Sequence, residues 1–396
     1  MKSLWLQKKL KDYTNNYVIN GVMNVESNLL VTNDSETNKK KRYDNIDLLK
    51  LISIFMVISM HIPLFFTDFI NTHSINCFVQ FGLRLISDGV LIFIFVNGFL
   101  LINKPFDLKK HIYKIIRMFF ILLLWGTINV IIKSIIRQEN LSITKIISEV
   151  LSLKLPHPYA GFLWFLQSLI GLYILFPLIK IVHDNNKKVY NYFAITIILF
   201  SVGINFVDIM CQLIGNLINV NNLSSLVLNN FNRINPYVNT MFLCYFILGG
   251  VVYEKRNIFE NKKNITIAVI LGILSWIIAI IYGYAISKLL NKTYNDGYNY
   301  NQIFLMITVI GLYALSTLYK NKNNNFINRF ITSIGKNTMG IYLIHSIILE
   351  ITKKYVNVFS LHFYQRLIIS IGVLICSWII SIGIMKIPKL NSIIKI

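Results

Sequence analysis

Apolar runs of near bilayer-spanning length recur along this chain, and no other feature limits its fold as strongly. A helix crossing the ~30 Å hydrocarbon layer takes ~20 apolar residues. Ten runs of that order stand at about 46–66, 77–102, 111–134, 162–182, 190–209, 237–254, 264–288, 301–319, 337–353 and 364–386. Polar breaks separate several of them: KPFDLKK at 104–110, HDNNKK at 183–188, EKRN at 254–257 and KNKNNN at 320–325. Only 14% of the 396 residues are charged, where a soluble domain carries about 25%. The sequence therefore predicts an all-α, polytopic membrane bundle of about ten transmembrane helices. A basic, partly disordered cytosolic tail is expected over 1–43, with the membrane domain over 44–390.

The formal charge of +22 does not indicate nucleic-acid binding. The basic residues are spread over short connectors instead of forming one stripe with interleaved aromatics. Counting Lys and Arg on alternate sides of the ten runs gives 28 on the side of the N-terminal tail and 10 on the other, with Arg84 inside the second run. That bias predicts both termini in the cytoplasm. The long connectors 135–161 and 210–236 would then lie outside and cap an outward-facing site. The four cysteines, Cys77, Cys211, Cys244 and Cys376, show no CxxC or Cys/His ligand spacing, so neither a disulfide framework nor a metal is expected. The tail lacks the apolar core of a signal peptide. No internal repeat is evident, which disfavours an inverted-repeat transporter.

Few polar residues interrupt the apolar runs, and these are the candidates for chemistry. In the first run, Lys50 and His61 are eleven residues apart. On a helix they return to within about 20° of the same face, ~16 Å along the axis, so both are expected to look into one cavity, with Asp47 pairing Lys50 at i−3. Read alone, Lys50 is equally a snorkelling anchor, whereas for His61 a cavity-facing functional role outweighs that of a packing residue bonded to a neighbouring helix. Arg84 and Asp88 form an i,i+4 pair in the second run: either they neutralise each other, or Asp88 orients His61. Lys104, Lys109, Lys110, Lys114 and Arg117 make a basic cluster, read as a topology signal or as a phosphate site. Trp164 and Tyr173 suit an interfacial belt. Tyr342 and His345 share a helical face at i,i+3, and Tyr342 alone can satisfy the imidazole.

Taken in order, these segments resemble the acyltransferase-3 family of integral-membrane acyltransferases, which acylate cell-envelope glycans. YDNIDLLKLISIFMVISMH (43–61) is similar to the family's Arg-x(10)-His helix, with Lys50 at the Arg place and His61 at the catalytic His. FIFVNGFLL is similar to its phenylalanine-rich Ser-Gly helix, with Asn97 at the Ser place beside Gly98. Lys114-Ile-Ile-Arg117 matches an Arg-x-x-Arg element, GFLWFLQSLIGLYILFPL a His-Leu-Trp-Phe-Leu segment, and NTMGIYLIH the ending that assigns His345. Lys50 and Lys114 replace Arg, losing its bidentate fork. Phe162 stands at a His place, and the hydrolase-like domain attached in some members is not expected here.

The resemblance implies an acetyl-CoA or other acyl-CoA donor on the cytoplasmic side, an envelope glycan or lipid-linked sugar as acceptor, and no metal. Catalysis would rest on His61, Asp88 and His345, and donor binding on Lys50, Lys114 and Arg117. Arg84, Trp164 and Tyr342 would meet the acceptor. His61 would be general base or transient acyl carrier. The family also implies a bacterial cell membrane, with membrane lipids as neighbours. Two other readings stay open: a glycan exporter using the same polar cavity, and a membrane sensor module. No nucleotide-binding loop that would drive export is present.

Overall fold

A computed structural model gives the structure of residues 42–62, 89–139, 141, 142, 144, 159–220, 222–234, 241–290, 303–321, 325–388 and 390–394. The expected tail, 1–43, lies almost wholly outside the described residues. Twelve α-helices and no strand fall among them. These are α1 (Asp44–His61), α2 (Val90–Ile102), α3 (Leu108–Arg137), α4 (Trp164–Asn185), α5 (Lys187–Ile198), α6 (Ile204–Leu217), α7 (Leu223–Ile234), α8 (Met241–Glu254), α9 (Lys262–Leu290), α10 (Ile303–Ser316), α11 (Phe326–Tyr355) and α12 (Phe363–Lys386).

Each of the ten expected spans overlaps one of these helices, the fifth being α5 and α6 joined through a π turn at Leu199–Gly203, while 77–88 of the second lies outside the described residues. Five segments are long and apolar enough to cross a bilayer: α3, Gly161–Asn185, Lys187–Leu217, Lys262–Gly283 and α12. The helices α2, α8 and α10 are shorter but apolar. Charge sets the last two apart. Asp44, Asp47 and Lys50 lie on α1, and Arg329, Lys336, Glu350, Lys353 and Lys354 on α11. These two charged helices carry the candidate imidazoles His61 and His345. The outside connector expected at 210–236 is instead largely helical, with α7 folded back on α6.

Burial runs opposite to that of a water-soluble protein. Phe120, Ile135, Leu178 and Ile368 are more than half exposed, whereas Asn129, Lys133, Lys180, His345 and Ser377 are buried. With lipid as the solvent, apolar side chains face outward at no cost and polar ones turn inward to find partners. The chain is an all-α membrane bundle.

Close backbone approach organises its centre. A Cβ built on Gly98 of α2 would stand 1.8 Å from the Phe246 carbonyl oxygen, and one on Gly249 of α8 would stand 2.0 Å from that of Phe95. Small residues at such crossings let helices reach full van der Waals contact, the main attraction available between helices in lipid. Around this pair, α1 packs against α2, α10, α11 and α12, and α11 also contacts α3 and α12.

An ionic lock ties the ends of α2, α4, α5 and α8. The Lys180 ammonium donates to the Ile102 carbonyl at 3.0 Å and to Asp184 at 2.7 Å. His183 stands 2.8 Å from Asp184 and 2.7 Å from Glu254, which Lys187 also meets at 2.9 Å. The loop before α3 ends on Asp107, whose carboxylate accepts the Lys110 N–H at 3.0 Å. That bond holds its pKa below the usual carboxylate value.

The Gly98–Gly249 crossing makes a direct prediction. Gly249→Leu forces the α2 and α8 backbones apart and should destabilise the bundle by about 3 kcal/mol or more, the upper end for an overpacked core. Gly372→Ala, at a position with nothing within 4 Å, should leave the detergent-solubilised protein's melting temperature unchanged or slightly higher. Equal melting of the two variants would show that the crossing is not under compression.

Candidate active site

Two cavities lie along α1, one beside each of its singled-out residues. The first, about 320 Å³, has Lys50, Asn97, Lys114, Tyr173, Lys336 and Tyr342 in its wall. The second, about 190 Å³, is lined by His61, Lys133, Arg137, Ser346, Glu350 and Lys353, together with Gly161, Phe162 and Leu349. The expectation that Lys50 and His61 share one cavity is therefore corrected. Aromatic rings close the space between them: Phe162 and Tyr342 meet edge-to-face at 5.6 Å, Phe162 and His345 at 5.4 Å, and Phe165 and Tyr342 at 5.4 Å. The Tyr342 hydroxyl fastens this septum by donating to the Phe162 carbonyl at 2.6 Å.

In the Lys50 cavity, polar groups from three helices form a chain. Lys114 donates to the Tyr173 hydroxyl at 3.2 Å, and that hydroxyl donates to Asn97 Oδ1 at 3.3 Å. Behind Tyr173, the His111 ring stacks on it at 5.7 Å, and His111 Nε2 donates to the Tyr173 carbonyl at 2.7 Å. Asp47, the expected partner of Lys50, is buried with its carboxylate packed against the Cα of Gly335 on α11. Arg117 stands apart from this cavity. Its guanidinium donates to the Ser392 carbonyl at 3.1 Å, and nearby Trp125 donates to that of Ile393 at 2.8 Å. Both pin the C-terminal turn, whose Ile394 closes one side of the Lys50 cavity.

At the other end, the His61 and His345 rings are 5.3 Å apart. His345 is fully buried, and its Nδ1 lies 2.5 Å from the Tyr342 carbonyl. A carbonyl only accepts, so Nδ1 carries a proton. Nε2 has no partner among the described residues. Tyr342 thus satisfies only one nitrogen of this imidazole, and through its backbone carbonyl, not its hydroxyl. Lys133 enters the same region from α3, donating to the Tyr159 carbonyl and to Ser346 Oγ, the latter at 2.6 Å. Arg137 Nε pairs with Glu350 at 2.6 Å.

The structure thus brings His61 and His345 together at one end and Lys50, Lys114 and Tyr342 at the other. Trp164 belongs to neither lining and stacks on Phe242 at 5.6 Å. Arg84 and Asp88 lie outside the described residues, as does most of the connector 135–161. Lys133, Arg137 and Lys353 enter the sequence reading only as charges flanking membrane spans, and Glu350 does not enter it. Two signals marked them: Lys133 interrupts an apolar run, and Glu350 follows His345 on the same helix. Among the described residues no group of His, Cys, Asp or Glu is clustered to hold a metal ion.

A membrane-embedded bundle with one imidazole, His61, in the wall of a polar cavity, a second, His345, buried beside it, and a cationic cavity aligned behind suits transfer of a group between two differently held substrates. The family comparison agrees. A model of the acyltransferase-3 family, described as an acyltransferase domain, matches residues 43–382, and the chain belongs to this family of membrane acyltransferases. No curated protein and no solved structure matches it.

The Arg137–Glu350 pair is testable without an assay of activity. Glu350→Gln leaves the guanidinium without its carboxylate between α3 and α11. A charge-assisted bond of this kind contributes about 1.5–3 kcal/mol, reduced here by partial exposure. The melting temperature should fall by a few degrees, and Arg137→Gln in addition should cause little further loss. Additive losses would show that the two residues do not act as a pair.

Proposed function

We propose that the protein transfers an acyl group, acetyl by preference, from acyl-CoA to a hydroxyl of a cell-envelope polysaccharide or lipid-linked sugar. The observation that carries this reading is the alignment of the two cavities along α1, with three lysines in one, an imidazole pair at the other, and a thin aromatic septum between. In this reading the Lys50 end faces the cytoplasm of a bacterial cell, both termini are inside, and the His61 end opens outward.

The donor's phosphates meet Lys50 and Lys114, with Lys336 beside them, through charge-assisted bonds. Phe93, Val96, Leu100 and Met339, which line the same space, form an apolar sleeve for the pantetheine arm. The arm follows the ~16 Å from Lys50 to His61 along the helix. For the thioester to arrive beside His61, the Tyr342 and Phe162 rings must part, which breaks a single hydrogen bond.

His61 then takes the proton of the acceptor hydroxyl as its oxygen attacks the thioester carbonyl. The new C–O bond forms, the C–S bond breaks, and the departing thiolate receives the proton from His61. His345, its ring 5.3 Å from that of His61 and its Nε2 without a partner among the described residues, stands beside the ring that gains charge. Transient acylation of His61 itself is the variant of this route in which the imidazole attacks first. Export without acyl transfer is less well supported, because the septum interrupts any continuous passage between the two cavities.

Mass spectrometry of purified envelope polysaccharide tests the proposal. Cells with the wild-type protein should carry an acyl ester that is missing with His61→Gln at equal protein levels in the membrane. Full acylation in that variant refutes the assignment of His61. Lys50→Met should raise KM for acyl-CoA about tenfold or more, the cost of one charge-assisted phosphate contact. A change confined to kcat would move Lys50 from donor binding to another role.

A further inference from the structure

The wall of the His61 cavity is unlike one built for a neutral sugar. Among the described residues it presents Lys133, Arg137 and Lys353 with one carboxylate, Glu350, a formal excess of two positive charges. Next to it lies a second opening of about 330 Å³, lined by Ile136, Arg137, Gln138, Glu350, Lys353 and Lys354. Arg137, Glu350 and Lys353 belong to both walls, so the two spaces adjoin, and the way towards His61 passes one cation after another.

Lys133 is the most telling of these groups. It is almost completely buried, yet its ammonium, with three N–H donors, meets only the Tyr159 carbonyl and Ser346 Oγ among the described residues. Its Nζ also lies 5.3 Å from the centre of the Phe162 ring. Glu350, the one carboxylate in the wall, is engaged by Arg137. A buried cation is costly unless an anion offsets it, and this wall holds more cations than it can neutralise itself.

We infer that the acceptor bears an anionic substituent, a phosphate or carboxylate, which Lys133, Arg137 and Lys353 hold beside His61. This rests on the acyl-transfer reading for the identity of the acceptor, but the anion site itself does not. Bound there, the anion completes the charge balance of the cavity and fixes the sugar ring so that a neighbouring hydroxyl meets the His61 imidazole. A glycan of uncharged sugars would leave the cations unmet.

Binding to the full-length protein in nanodiscs, with no acyl donor present, tests this. The probes are inorganic phosphate, glucuronate and glucose, followed by titration calorimetry. One or both anions should bind and glucose should not, and the tighter anion identifies the substituent as phosphate or carboxylate. Lys353→Gln, at the accessible mouth where folding is not at risk, should weaken the anion about tenfold, while Lys263→Gln, an exposed lysine in neither cavity, leaves it unchanged. Phosphate held in the Lys50 cavity shows as a separate event lost in Lys50→Gln. The inference is overturned if neither anion binds, if glucose binds as well as they do, or if the affinity follows Lys50 and not Lys353.

The His61→Gln protein separates this question from catalysis, since it should bind the anion normally while forming no ester. If wild-type cells carry no acyl ester but the anion binds as described, the transfer reading fails and the site stands. If the ester is present but maps to a repeat with no charged substituent, transfer stands and the anionic acceptor is refuted.

Discussion

Two backbones in contact set the frame of this protein. Where Gly98 of α2 crosses Gly249 of α8, each glycine lies against a carbonyl of the other helix with no room for a methyl group. In lipid there is no hydrophobic drive to press helices together, so contact of this closeness supplies the dispersion energy that water would otherwise contribute. The crossing also has a chemical consequence. Asn97, one residue before Gly98, is turned into the Lys50 cavity and held by Tyr173, which in turn holds Lys114. A packing contact thus sets the polar chain through which the cation is positioned.

The second constraint is the cost of charge away from water. Charged and polar groups within the bundle collect at its two ends, where each finds partners from several helices. At one end the Lys180–Asp184–His183–Glu254–Lys187 network joins α2, α4, α5 and α8. It is self-contained, with each charge meeting an opposite one. The cluster beside His61 differs, because its cations outnumber its carboxylates. A balanced network needs nothing further to be stable, whereas an unbalanced one lining a cavity is suited to receive a ligand of the missing sign. That contrast separates a structural lock from a site.

Between the cavities, the Phe162–Tyr342–His345 septum would reconcile two requirements of the proposed acyl transfer across a membrane. Water and ions must not leak through, yet an acyl group must reach the far side. Rings that meet at their edges and are secured by one hydroxyl bond provide a closed barrier with little holding it shut. Phe162, the departure from the family's histidine at this place, contributes an apolar ring to that barrier. Its backbone carbonyl, which any residue would supply, anchors Tyr342.

Much of this architecture was legible in the amino-acid order. The ten apolar runs map onto helices because a lipid-facing helix must be apolar over its whole length, a requirement visible residue by residue. The eleven-residue spacing of Lys50 and His61 placed both on one face of α1 because helical geometry is local. The i,i+3 relation of Tyr342 and His345 was equally plain. The tertiary structure alone decided that this face opens onto two cavities, since the septum is assembled from α4 and α11, far apart in sequence. It alone showed Arg117 fastening the C-terminal turn, and it gathered Lys133, Arg137, Glu350 and Lys353 around His61. Charges near span ends all look alike in one dimension. Whether they face lipid headgroups or the His61 imidazole depends on how each helix is rotated about its axis, and that rotation is set by contacts between helices.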